Sequence, residues 1–172
     1  LGETYGDDNI RVMVNDMLMN VKPLAGVFLP INKYGGQARQ SARLINEAYA
    51  SDMNICVYPA GLVSRLGDDG RIRDLQWQKA VAAKAMEFGR DIVPVRFEAL
   101  NSPMFYKTAR LRKKSGLKVN LEQALLPREL FSQRGKRFRV VFGSPVSAEE
   151  MRTSGKSPLE LAAMLRDLVY SL

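Results

Sequence analysis

The chain has 172 residues, of which 46% are hydrophobic and 26% charged, and its formal net charge is +8 at pH 7. This length and composition are typical of a globular domain with a hydrophobic core, and they exclude a disordered, collagen-like or disulfide-rich chain. The sequence contains one cysteine and no histidine. Histidine is the commonest general base and metal ligand. Its absence excludes a His-based catalytic triad and a Cys/His zinc site within these 172 residues. Cys56 lies in an apolar run, which predicts a buried thiol and favours a reducing compartment.

Short β-branched runs alternate with helical periodicity along the chain. In chain order, the pattern predicts strands at residues 11–14, 26–29, 54–58, 92–97 and 138–142. Helices are predicted at 37–50, at 74–89 with Asp74 as a cap and Gly89 as the stop, and at 157–172. The last helix begins with the capping-box spacing of Ser157 and Glu160. Gly67-Asp68-Asp69-Gly70 predicts a tight turn, in either a small hairpin or a loop.

This order of elements predicts an α/β fold, with a mixed, mostly parallel sheet flanked by helices in a single domain over residues 1–172. No transmembrane helix is predicted, because the longest apolar run, at residues 24–31, is less than half of the roughly 20 residues required. The first residues lack an initiator Met and a signal-peptide pattern, so we expect further chain before Leu1.

The positive charge is concentrated in the C-terminal part of the chain. Residues 1–100 carry 12 basic and 12 acidic side chains, whereas residues 101–172 carry 14 basic and 6 acidic ones. A field of one sign attracts polyanions, either anionic lipid headgroups or nucleic acid phosphates. No recognisable nucleic-acid-binding module accompanies the charge, so nucleic acid is not predicted as a partner.

Within this part, residues 103–119 combine aromatic and aliphatic side chains with six cations and no acidic residue. The cations are Lys107, Arg110, Arg112, Lys113, Lys114 and Lys118. Such a segment suits the interface of an anionic membrane, where each Lys or Arg contributes about 1 kcal/mol. A solvated helix whose long side chains cover some of the core is an almost equally good interpretation.

Polar and cationic side chains follow two of the predicted strands. Asn32 and Lys33 come after the strand at 26–29, and Ser64 and Arg65 come after the strand at 54–58 and a Pro-Ala-Gly turn. If the two strands are parallel, their carboxyl ends meet at one edge, and the four side chains would form one anion-binding rim. A purely structural turn is at least as good an interpretation of the second segment.

Three segments, in this order, resemble conserved blocks of the glycerolipid and lysophospholipid acyltransferase superfamily, of the phosphatidic-acid-forming type, and its bacterial hemolysin-like branch. Residues 26–33 are similar to the second block, residues 58–64 to the third and residues 92–95 to the fourth. The resemblance covers nearly the full chain and implies an acyltransferase-like domain. It implies substrate-binding roles for Asn32, Lys33, Tyr58, Pro59, Ala60, Gly61, Ser64 and Arg65.

The activity implied by the resemblance is transfer of a fatty acyl group to the hydroxyl of a lysolipid, either lysophosphatidic acid or a lyso-aminolipid, in membrane lipid biosynthesis. The donor would be a thioester of acyl carrier protein or coenzyme A, acting as a co-substrate, with no bound cofactor or metal. Lys33 and Arg65 would contact a phosphate of acceptor or donor. The resemblance further implies a peripheral location on the cytoplasmic, inner face of the membrane.

The sequence departs from the family pattern in ways that bear on mechanism and acceptor. The family's catalytic His, followed five positions later by Asp, is absent, so no catalytic residue is assigned and we expect the pair before Leu1. Ala60, Leu62 and Lys33 stand where the family usually has Glu, Thr and Arg. These changes disfavour a glycerol-3-phosphate-type acceptor and make a lyso-aminolipid or another hydroxylated lipid plausible. The alternative to an enzyme is a non-catalytic, basic binding module for an anionic membrane surface or nucleic acid.

Overall fold

The computed structural model describes residues 6–15, 22, 26–31, 37–116 and 124–172. The contacts between these residues group the chain into two compact units. The first unit comprises Leu1–Pro59, Lys79–Ile92 and Val146–Leu161, and the second comprises Ala60–Gln78, Val93–Pro145 and Ala162–Leu172. Each unit is described by itself.

The described part of the chain forms seven strands and six α-helices. In chain order they are β1 (Ile10–Asn15), β2 (Phe28–Ile31), α1 (Gln37–Ala50), β3 (Asn54–Cys56), β4 (Arg65–Leu66), β5 (Ile72–Arg73), α2 (Ala80–Phe88), β6 (Val95–Glu98), α3 (Pro103–Ser115), α4 (Leu126–Ser132), β7 (Arg139–Phe142), α5 (Ala148–Thr153) and α6 (Pro158–Ser171). None of the helices in this part of the chain is both long and apolar enough to cross a membrane.

The first unit is built around a parallel sheet with the strand order β2-β1-β3. Alternating β-branched residues of β1 direct Ile10 and Val14 into the core, where Leu29 of β2 is also buried. Helix α1 contacts β2, and its Tyr49 ring lies 5.8 Å from the Phe88 ring of α2. Because β2 and β3 both pair in parallel with β1, their carboxyl ends lie at the same edge of the sheet, with β1 between them.

The second unit contains two antiparallel strand pairs. Strands β4 and β5 form a short hairpin around the turn at Gly67–Gly70, in which Arg65 pairs with Arg73. Strands β6 and β7 pair from Val95 opposite Phe142 to Glu98 opposite Arg139. The core of this unit includes the buried side chains of Phe105, Tyr106, Ala109 and Leu165.

The structure confirms the α/β class, with parallel and antiparallel pairing. Of the two alternatives for the turn at 67–70, a small hairpin or a loop, it shows the hairpin. The predicted helix at 37–50 matches α1, and the helix predicted at 157–172 is observed as α6 with both hydrogen bonds of its capping box. In the described residues the strands are distributed over three small sheets rather than one. Cys56 is half-buried, not fully buried as predicted, because it is the last residue of a short edge strand.

The helix predicted at 74–89 starts six residues late, at Ala80, so Asp74 is not its cap. The stop at Gly89 was predicted correctly. Gly89 adopts φ +66°, a left-handed conformation that favours glycine, and its N–H donates to the last carbonyls of α2. The strand predicted at 54–58 ends at Cys56, and the one predicted at 92–97 begins only at Val95, after Pro94.

Candidate functional site

Tyr58 and Pro59 follow β3 in the first unit. Tyr58 is 67% exposed. Partial burial of its titrating end and the neighbouring Cys56 thiol raise the pKa of Tyr58 to about 12. Burial also raises the pKa of Cys56. Both groups are therefore uncharged at physiological pH, and Cys56 is a thiol rather than a thiolate nucleophile.

Gly61 shapes the segment that opens the second unit. It adopts φ +66°, a backbone conformation that residues other than glycine rarely adopt. A Cβ at this position would also lie 3.3 Å from Nε2 of Gln78. Ala60, immediately before it, is half-buried. Gly61 therefore permits the turn that leads into Ser64 and Arg65.

The side chains of Ser64, Asp74 and Trp77 form a hydrogen-bonded cluster in the second unit. The Ser64 hydroxyl donates to Oδ1 of Asp74 at 2.6 Å, and the indole N–H of Trp77 donates to Oδ2 at 3.0 Å. Trp77 is 9% exposed, so its N–H has found the partner that a buried indole requires. Both carboxylate oxygens of Asp74 thus accept a hydrogen bond, one from Ser64 earlier in the chain and one from Trp77 later in the chain.

The backbone of Asp74 is fixed as well, by helix α6. Its N–H donates to the Tyr170 hydroxyl at 2.7 Å, and its carbonyl accepts from Nη2 of Arg166 at 2.6 Å. The Arg166 Nε is buried without a hydrogen-bond partner in the described part of the structure. Four groups thus bind Asp74, two at its carboxylate and two at its backbone.

Arg65 is positioned by the hairpin and by an aromatic ring. Its Nη1 donates to the Val63 carbonyl at 2.8 Å, and its guanidinium carbon lies 5.5 Å from the centre of the Phe105 ring. Phe105 is 1% exposed, so the stacking surface is rigid. Across the hairpin, the Arg73 guanidinium lies 5.4 Å from the Tyr170 ring. The second unit therefore brings several guanidinium groups into one polar region that also contains Ser64, and such a region can bind an anionic group.

Of the predicted site residues, the structure places Ala60, Gly61, Ser64 and Arg65 together in the second unit and Tyr58 and Pro59 in the first. Asn32 and Lys33 lie outside the described residues, so the common rim stays a prediction. Four residues that organise this region were not predicted as site residues: Asp74, Trp77, Arg166 and Tyr170. A signal for one was present, because in the hairpin register the positions directly beyond the Arg65–Arg73 pair are Ser64 and Asp74. Trp77 is buried and precedes α2.

The cation-rich segment at residues 103–119 forms the helix α3 as far as Ser115. One side of α3 is buried through Phe105, Tyr106 and Ala109, whereas Lys107 and Arg110 are exposed and Leu111 is 69% exposed. Arg110 lies 3.7 Å from the Asp68 carboxylate, and Arg112 is half-buried. Positions 113 and 114 fall within α3, and Lys118 lies outside the described residues. The helix is thus amphipathic, and its membrane role stays a prediction.

The described residues contain no group of three His, Cys, Asp or Glu side chains that could hold a metal ion. Within the described part of the chain, the polar region around Ser64 therefore offers hydrogen bonds and positive charge rather than metal ligands. Those are the means of binding and orienting a substrate with polar or anionic groups.

Comparison with known proteins defines the class of this chain. A family model described as "Acyltransferase" matches residues 2–172, so the chain belongs to this acyltransferase family. Two similar curated proteins are the "Lyso-glycine lipid O-acyltransferase" of Phocaeicola vulgatus, 39% identical, and that of Bacteroides thetaiotaomicron, 40% identical. Both alignments cover all 172 residues of this chain, which spans 61% and 62% of the lengths of these relatives. No solved structure matches the chain.

Proposed function

We propose that the complete protein is an O-acyltransferase that moves a fatty acyl group from an acyl thioester to the hydroxyl of a lysolipid. The observation that carries the proposal is the family match over residues 2–172, together with about 40% identity to two lysolipid acyltransferases. The acceptor we propose is a lysolipid that contains glycine, and the donor is a thioester of acyl carrier protein or coenzyme A.

In the proposed reaction the acceptor hydroxyl attacks the thioester carbonyl. A C–O bond forms, the C–S bond breaks, and the hydroxyl proton passes through a general base to the departing thiolate. The 172 residues contain no histidine, so the His and Asp pair typical of the family would be supplied by the rest of the protein. The residues around Ser64 and Arg65 would bind and orient the acceptor.

Two features of the sequence support a lyso-aminolipid acceptor over lysophosphatidic acid. Ala60 and Leu62 replace a carboxylate and a hydroxyl in the third block, and Lys33 replaces an arginine in the second. A lysine lacks the two-pronged donor geometry with which arginine matches a phosphate. The changes are compatible with a headgroup that needs fewer phosphate contacts.

An acceptor screen tests the proposal. The complete protein is incubated with acyl-carrier-protein or acyl-coenzyme A thioesters and with lyso-glycine lipid or lysophosphatidic acid of matched chain length, and the diacylated products are measured by mass spectrometry. We expect product from the lyso-glycine lipid. Product from lysophosphatidic acid alone would contradict the acceptor class, and no product from any combination would contradict the enzyme proposal.

The sequence upstream of Leu1 provides an independent test. We expect a His followed five positions later by an Asp, and replacement of that His by Ala should abolish acyl transfer while binding of the lysolipid is retained. A complete protein without such a pair would contradict the mechanism.

We propose further that the protein works at the inner face of an anionic membrane, and the exposed cations of α3 support this.

A further inference from the structure

The direction of one hydrogen bond beside Arg65 constrains the chemistry of the acceptor headgroup. An ionised carboxylate only accepts hydrogen bonds, whereas a serine hydroxyl has one proton to donate and lone pairs that accept. In the 2.6 Å contact between Ser64 Oγ and Asp74 Oδ1, the shared proton therefore comes from Ser64. Its single donor is used inside the protein.

The surroundings of Asp74 prevent this arrangement from reversing. The indole N–H of Trp77 only donates and already occupies Oδ2, and the Asp74 backbone is held by Tyr170 and Arg166. The carboxylate therefore stays turned towards Ser64. A ligand that reaches the half-buried Ser64 hydroxyl meets oxygen lone pairs, not a proton.

We propose that Ser64 accepts a hydrogen bond from an N–H or O–H donor of the acceptor lipid's headgroup, and that Asp74 is the positioning residue that sets this polarity. The inference rests on the proposed function and names the specificity determinant of the same site. Arg65, the next residue, contributes a positive charge to the same segment. The Ser64 oxygen can accept a hydrogen bond from an N–H group of the headgroup, and the Arg65 cation can attract a carboxylate. A glycine-containing headgroup can carry both groups.

The same polarity disfavours a phosphate monoester. At pH 8 such a group is a dianion, because its second pKa is about 6, and it offers only acceptor oxygens. Its oxygens would face the lone pairs of Ser64 without a shared proton. Ser64 thus contributes to the choice between two lysolipids that differ in their headgroups.

Asp74→Asn reverses the polarity with little change in shape. The new amide oxygen accepts from Trp77, its NH₂ group donates to Ser64, and the Ser64 proton is released towards the ligand. Ser64→Ala removes the contact without reversing it. Ser171→Ala is the matched control, because it deletes a hydroxyl that donates to the Leu168 carbonyl at the exposed end of α6.

The experiment measures kcat and KM of the complete protein at pH 8 for lyso-glycine lipid and for lysophosphatidic acid. For Ser64→Ala we expect kcat/KM for the lyso-glycine lipid to fall about fivefold through KM, the loss expected for one hydrogen bond. For Asp74→Asn we expect the ratio of the two kcat/KM values to shift about tenfold or more towards lysophosphatidic acid. Ser171→Ala should leave the ratio unchanged.

If the wild-type protein transfers acyl groups but Ser64→Ala leaves the ratio at the wild-type value, the inference is overturned. Thermal unfolding of each variant shows whether it is folded, and an unfolded Asp74→Asn leaves the decision to Ser64→Ala. A wild-type protein that acylates neither lipid overturns the proposed function, and this inference with it.

Discussion

Glu129 of α4 is a carboxylate that is only 3% exposed. It accepts hydrogen bonds from the Ser102 N–H at 2.5 Å and from the Ser102 hydroxyl at 2.6 Å. The hydrogen bonds from Ser102 lower the pKa of Glu129. Ser102 lies directly before α3 and its hydroxyl also accepts from the Phe105 N–H, so Glu129 ties the start of α3 to α4.

Glu129→Gln should destabilise the protein by about 1–3 kcal/mol at pH 7. The N–H and the hydroxyl of Ser102 bind two different carboxylate oxygens, and the variant replaces one of these oxygens with an NH₂ group that cannot accept. A carboxyl group whose pKa is lowered by folding stabilises the folded state above its ordinary pKa, here 4.5, and this contribution is lost as the pH falls through the lowered value. The difference in free energy of unfolding between wild type and variant should therefore be largest at neutral pH and shrink below about pH 4.5.

Urea unfolding at pH 7 and in the acid range measures this difference. Glu149→Gln, at an exposed position of α5, is the control that removes the same charge without the buried contact. A difference that stays constant from pH 7 into the acid range would show that the ionised form of Glu129 does not stabilise the fold.

Sequence periodicity predicted the helices whose start and end depend on residues close in the sequence. Helix α1 has the predicted bounds, and α6 has the predicted capping box. The start of α2 was predicted wrongly because the Asp74 carboxylate binds Ser64, ten residues earlier, a partner that local pattern cannot supply. Helix α5 was missed although Ser147 and Glu150 have the same capping spacing, since the segment is too short to show periodicity.

The capping box of α6 offers a test of how much a local signal contributes to stability. The Ser157 Oγ accepts from the Glu160 N–H at 3.3 Å, and the Glu160 carboxylate accepts from the Ser157 N–H at 2.8 Å. Ser157→Ala should lower the free energy of unfolding by about 1 kcal/mol, because one helix N–H loses its partner. Chemical denaturation measures the change, with Ser171→Ala at the other end of α6 as the control. Equal effects of the two substitutions would contradict a specific capping role.

The parts of the candidate site that are contiguous in the sequence were predictable, and the parts that the fold brings together were not. The resemblance to an acyltransferase was readable because the order of three short blocks is a linear pattern. The Ser64 and Arg65 segment was found in the same way. Its supports, Arg166 and Tyr170, were not predictable, since they come from α6, about a hundred residues further along the chain. Only the fold brings them to Asp74.

Membrane association is a prediction about the charge of the whole chain. Residues 101–139 carry 11 basic and 2 acidic side chains, and α3 presents part of this charge beside the exposed Leu111. Lys113→Glu with Lys114→Glu should weaken binding to anionic vesicles at least about tenfold, because each cation near such a surface contributes about 1 kcal/mol. Vesicle binding of the wild-type protein and of the double variant should also weaken with added salt, since salt screens the attraction between the cations and the anionic lipids.

Vesicle sedimentation with and without phosphatidylserine measures the effect. The control is Lys79→Glu with Lys156→Glu, which makes the same change in net charge at two exposed positions of the first unit. If the two double variants lose equal affinity, the binding depends on net charge and not on α3. If neither loses affinity, electrostatics does not drive the association, and the apolar side chains of the protein become the next ones to replace.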